Sequence, residues 1–139
     1  MLTEILVADD GSEAGFKAVT FAIDLAADHH AKLHMLCVEE TQDFPPSIDT
    51  QIVEKGEAER QFTDVFERAQ ILAELKPIKI EFHLKAGHPV PTIAEFVKEH
   101  NIDHLVIGFV GHSALYERII GGTVERLVET APCTVTVVK

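Results

Sequence analysis

Five short apolar runs alternate with stretches whose apolar residues recur at helical spacing, and that alternation leaves the chain few folds to choose from. The first run, Ile5-Leu6-Val7-Ala8, is apolar without interruption, as expected of a central strand covered on both faces. Leu33 to Val38 and His104 to Gly108 read as further strands, and Thr134 to Val138 as the last. The third differs: Ile78, Ile80, Phe82 and Leu84 alternate strictly with Lys79, Glu81, His83 and Lys85. That is the pattern of a half-exposed strand, hence a sheet edge. Between the strands, Ala14, Ala18, Phe21, Ala22 and Leu25 follow Ser12, a good N-cap, and form one helical face. Ala58, Phe62, Val65, Phe66, Ala69 and Leu72 form a second, in which Gly56 predicts a late start or a bend. Ile93, Ala94 and Val97 mark a third after the Gly87-His88-Pro89 turn, and Val124, Leu127, Val128 and Ala131 a fourth. The order β-α-β-α-β-α-β-α-β predicts one doubly wound α/β domain over residues 1–139, a five-stranded parallel sheet with helices on both faces. A chain of 139 residues is long enough to bury a substantial core.

The chemistry gathers where the fourth strand ends. Ile107-Gly108 is followed by Gly111, a nine-residue insert and Gly121-Gly122, and then Thr123 opens a helix. Glycines let backbone approach a ligand closely, and the free amides at a helix start favour an anion, most commonly phosphate. In doubly wound sheets ligands sit at the carboxyl ends of the strands, where strand order reverses. Asp9-Asp10 ends the first strand, so first and fourth strands lying side by side would bring both motifs into one crevice. His112, beside Gly111, is placed to donate to a phosphate, and Asp9 reads as a solvated turn residue. The net charge of -11 argues against nucleic acid and anionic membranes as partners, and any bound nucleotide would need local neutralisation.

Other residue types carry less. No apolar stretch approaches the roughly 20 residues of a membrane span, and Met1-Leu2-Thr3-Glu4 runs directly into a strand, so the cytoplasm is the expected location. Cys37 and Cys133 belong to no CxxC pair and are expected to be reduced, buried or half-buried thiols. The eight histidines are scattered over all element types and read as structural or surface residues, with no metal site expected. His100 and His104 have a suggestive spacing, but a helix end and a strand start separate them. No nucleophile elbow, Cys-His motif or catalytic carboxylate pair is present, so dedicated catalysis has no support beyond slow hydrolysis of a bound nucleotide.

Over essentially its whole length the chain resembles the universal stress protein family. The resemblance rests on ILVADDGS near the start, Gly87-His88-Pro89, the pattern Gly108-x2-Gly111-x9-Gly121, and ERLVETAPCTVTVVK from Glu125 to Lys139. It implies strand order 3-2-1-4-5, a homodimer through the last strand (Thr134 to Val138), and in one branch bound ATP, or ADP or AMP, with Mg2+ if the triphosphate is held. Carried over, the ribose-binding aspartate is Asp10, with Ala8 lining the same crevice and Val38 contacting adenine through its backbone. Ile107 and Gly108 would flank base and ribose, and Gly111 and Gly121 would bracket the phosphates. Two departures stand out. Gly122 occupies the place of a serine or threonine, with Thr123 one position later, and Phe109-Val110 replace residues that are usually small or polar. A serine at position 122 is therefore expected to restore a phosphate contact. The alternative is a family member without nucleotide, working as a protein-interaction dimer.

Overall fold

The computed structural model describes residues 2–10, 15–40, 48–108 and 122–139, with side chains at all of these except 40, 48–59 and 61. Strand β1 (Glu4–Asp9) lies at the centre of a five-stranded sheet. It pairs in parallel with β2 (Lys32–Glu40) on one side and β4 (His104–Gly108) on the other. Strand β3 (Lys79–Gly87) adds to β2 and β5 (Thr134–Val138) to β4, all parallel, giving the order 3-2-1-4-5. The edges are thus β3, as its alternation predicts, and β5.

The period-two pattern of each strand divides the core into two layers. Ile5 and Val7 of β1, Leu33, Met35 and Cys37 of β2 and Val106 of β4 pack under α1 (Phe16–His29) and α2 (Ile48–Glu74). Leu6, Leu36, Val38, Leu105 and Ile107 face the other way, against Ile93, Phe96 and Val97 of α3 (Pro89–Glu99) and Leu127 of α4 (Thr123–Thr130). Ile5, Leu6 and Val7 are each wholly buried, which is why this strand reads as an unbroken apolar run. Burying one such side chain contributes about 1.5–3 kcal/mol.

Several local expectations need correction. Helix α1 begins at Phe16 with Gly15 as N-cap; Ser12 lies outside the described residues. Its buried stripe is Ala18, Val19, Ala22, Ile23 and Ala26, whereas Phe21 is exposed. Helix α2 does not start late but runs from Ile48 through Gly56 to Glu74, because a glycine costs only about 1 kcal/mol against a packed face supplied by Phe62, Val65 and Ala69. Val128 is exposed on α4, leaving Leu127 as that helix's buried residue. Pro89 opens α3 at its first turn, where its missing N–H removes nothing.

At the amino ends of the strands, Asp103 fastens β1 to β4. Its Oδ2 accepts the Thr3 amide at 2.8 Å, the Thr3 hydroxyl at 2.9 Å and the Glu4 amide at 3.3 Å. Partial burial pushes this carboxyl up, but the Thr3 and Glu4 donors outweigh it and hold it below the ordinary range. His29 serves the same end, its Nδ1 accepting the Leu2 amide at 3.3 Å.

Candidate functional site

The strand order makes β1 and β4 neighbours at the reversal point, so their carboxyl ends open one crevice. Ala8 sits in register between Leu36 on β2 and Ile107 on β4. Ala8, Val38 and Ile107 all belong to the α3/α4 layer, and Val38 and Ile107 are buried while Ala8 packs beside them. A small residue in the central strand lowers this apolar floor between two larger ones. Gly108 ends β4, and Asp10 follows β1 directly. Helix α4 leads into β5, which runs parallel to β4, so its amino terminus lies at the same edge of the sheet. Its unsatisfied amides carry the positive end of a helix dipole toward that edge.

Two features of this edge are invisible in sequence spacing. Asp9 is only 6% exposed, so it is not the solvated turn residue that its position suggests. Gly15 explains how: α1 closes down on the acidic pair so tightly that a Cβ there would collide with Asp9 Oδ1 and lie 3.2 Å from Asp10 Oδ1. The signal that could have found this is a glycine preceding a helix on whose far side nothing else demands one. Cys37 lies in register with Asp9. Burial, reinforced by the charges of Asp9 and Asp10, pushes its thiol well above the ordinary value, so it is an inert core residue rather than a nucleophile.

Gly122 corrects an expectation. It caps α4 with φ 63° and ψ 152°, a region essentially restricted to glycine. A serine there would strain the backbone before its hydroxyl reached any phosphate, and Thr123, the first residue of α4, is the hydroxyl the chain provides. The structure therefore gathers Ala8, Asp10, Val38, Ile107, Gly108, Gly122 and Thr123 at one edge of the sheet. Gly111, His112 and Gly121, with Phe109-Val110, lie outside the described residues.

The donor set suits a nucleotide in kind. A carboxylate can accept hydrogen bonds from ribose hydroxyls, strand-end backbone can offer amide and carbonyl to a base edge, and amides at a helix start can face a phosphate. Comparison with known proteins places the chain in a family. The model of the universal stress protein family matches residues 1–139. YxiE, a universal stress protein of Bacillus subtilis, is 28% identical over 148 residues, covering 100% of each chain. The solved structure of the universal stress protein UspA from Lactobacillus plantarum superposes with a TM-score of 0.83 at 30% identity, covering 99% of this chain and 98% of that one. A universal stress protein crystallised in complex with cAMP gives a TM-score of 0.75 at 25% identity, with 99% and 96% covered.

Proposed function

This chain belongs to the universal stress protein family, and from that premise we propose that it binds an adenine nucleotide in the crevice at the carboxyl ends of β1 and β4. The observation that carries the reading is the convergence of Ala8, Val38 and Ile107 on one face, at the edge of the sheet where Asp10 follows β1 and α4 begins. The similarity to a family member solved with cAMP supports adenine as the base. In this reading Asp10 accepts the ribose hydroxyls, and the apolar floor takes the base. The amides at Gly122 and Thr123 meet the phosphates. ATP with Mg2+ is the fullest ligand, because the cation offsets triphosphate charge in a chain of net charge -11. The protein then acts in the cytoplasm as a nucleotide-dependent stress regulator, paired as a homodimer through β5. Among the described residues no helix is long and apolar enough to cross a membrane.

Calorimetric titration with ATP, ADP, AMP and cAMP, each with and without Mg2+, tests this. Saturable binding is expected, weakened at least tenfold in Asp10→Ala, since a charged acceptor of hydrogen bonds contributes about 1.5–3 kcal/mol. No heat with any of the four at millimolar concentration would overturn the reading. It would leave a nucleotide-free interaction dimer, the alternative that Gly122 together with Phe109-Val110 suggests in the sequence.

A further inference from the structure

Three histidines far apart in sequence meet at the opposite, amino-terminal half of the sheet. His34 on β2 stands in register with Glu81 on β3, and His83 follows Glu81 on the same face of that strand. His34 Nδ1 lies 3.3 Å from His83 Nε2. Glu81 closes the triangle, with Oε2 3.9 Å from His34 Nδ1 and Oε1 3.8 Å from His83 Nε2. His100, at the end of α3, packs edge-on to both rings with centroids 5.3 and 5.5 Å away. His100 itself stacks on Phe96, the two rings 3.8 Å apart.

We propose that His34, His83 and Glu81 form a binding site for a divalent metal ion of the zinc class, unrelated to the nucleotide crevice. The three residues present one donor atom each, all within 4.8 Å of one another. Two nitrogens bound to one zinc at about 2.0–2.1 Å in tetrahedral geometry stand roughly 3.3 Å apart. The two imidazoles already have that separation. The carboxylate, whose Oε1 lies 3.8 Å from His83 Nε2, has to swing inward toward both rings to reach the same spacing.

The surrounding groups are those that metal-binding histidines use. His34 Nε2 donates to Glu4 Oε2 at 2.7 Å, which in the neutral ring leaves the Nδ1 lone pair aimed at His83. A carboxylate behind a ligating imidazole holds its tautomer and raises its basicity. The His34 side chain is only 3% exposed and cannot turn away. Burial holds His83 below the usual imidazole value, so its ring is neutral and able to ligate at neutral pH. On metal binding the proton that bridges the two rings leaves His83 Nε2 for its Nδ1, by way of solvent, and both rings stay neutral. Lys32 Nζ lies 2.6 Å from Glu81 Oε2 and keeps that carboxylate ionised, leaving Oε1 for the metal. Glu81 is about half exposed at the sheet edge, where the ion enters and where a water completes the fourth position. Nitrogen and oxygen donors at this count fit Zn2+, and Co2+ as its spectroscopic substitute.

The test uses untagged, chelator-stripped protein without nucleotide, titrated with ZnCl2 against a chromophoric competitor and with CoCl2 by visible absorption. One equivalent of zinc is expected at micromolar affinity or tighter, with intense d–d bands for cobalt marking tetrahedral coordination. His83→Asn, a polar replacement at a partly buried position of an edge strand, should abolish both while circular dichroism shows the fold retained. Glu4→Gln should weaken zinc roughly tenfold to a hundredfold, and His30→Asn should change nothing. Stoichiometric binding that persists in His83→Asn would overturn the site, as would a wild-type protein that binds no equivalent of either metal. Because nucleotide is absent throughout, the result stands or falls apart from the crevice.

Discussion

A methyl group at position 15 has no space, because the Asp9 carboxylate already occupies it. Gly15 is in ordinary right-handed conformation, φ -68° and ψ -23°, so the requirement is steric proximity and not backbone freedom. Gly15→Ala must push either α1 or Asp9 outward. Overpacking of this kind costs about 1–3 kcal/mol, and the displaced carboxylates should also lower nucleotide affinity; chemical denaturation and calorimetry read the two effects. Gly122 demands glycine for the opposite reason, its φ of 63°. Gly122→Ser is expected to cost about 1–3 kcal/mol in backbone strain and to weaken nucleotide binding. A serine variant that bound more tightly at unchanged stability would show that the helix start relaxes to take it. Leu6, wholly buried in the central strand, gives the contrasting case of a plain core position, where truncation to alanine should cost about 2–5 kcal/mol.

At the scale of elements, β3 and β4 carry a pH dependence of their own. Burial lowers the His83 imidazole below its ordinary value, and burial does the same to His104 on β4. In the unfolded chain both rings protonate near pH 6.5. As pH falls through that value the unfolded state therefore takes up protons first, and stability, intact above it, declines until the lowered folded-state values are reached. In chelator, urea midpoints measured from about pH 7.5 down to 5.5 should fall for the wild type and fall less for His83→Asn. Unchanged slopes would mean that His83 is not the group responsible. These same strands show what sequence could and could not disclose. The bounds of β1, β4 and β5 follow from continuous apolar or β-branched runs, and the edge position of β3 from its alternation. Phe21 and Val128 mislead because helical spacing defines a stripe only to within about one residue's rotation, and packing chooses its centre. The histidine cluster is hidden for a different reason. His34 and His83 are 49 positions apart and meet only because β2 and β3 pair in this register. At the crevice, the strand ends that carry Asp10 and Gly108 follow from the sequence pattern, and Ala8, Val38 and Ile107 enter through the family resemblance, whereas the burial of Asp9 depends on where α1 lands.

For the whole molecule, the open question is what covers β5. Strand β5 pairs with β4 on one side, and on its other side no described strand pairs with it. Its sequence, Thr134-Val-Thr-Val-Val138, is β-branched throughout, and Val128 on the neighbouring α4 is 53% exposed. An unpaired edge of this kind invites a second strand, and the same strand of a second copy gives a two-fold interface. Consecutive residues of a strand point their amides to opposite edges. Thr136→Pro and Val137→Pro therefore remove donors on opposite sides of β5. A dimer is expected for the wild type by light scattering. One of the two proline variants should be a folded monomer, and the other should lose stability through its broken bond to β4. A wild-type monomer at micromolar concentration, or a dimer surviving both changes, would place the interface elsewhere.

The central position of β1 has a consequence for how the molecule comes together. One neighbour of β1 follows it after a single helix, but the other is β4, and the Thr3–Asp103 clasp joins residues 100 positions apart. As the chain leaves the ribosome, β1, β2 and β3 can associate while β4 is still unmade. The β1–β4 seam joins the two halves of the sheet, and the crevice lies along that seam. A ligand held there touches both sides of it and so acts as a staple: it stabilises only chains that have completed the joint. Occupancy of the crevice would thus report that the two halves of the sheet have joined, before it reports anything about the state of the cell.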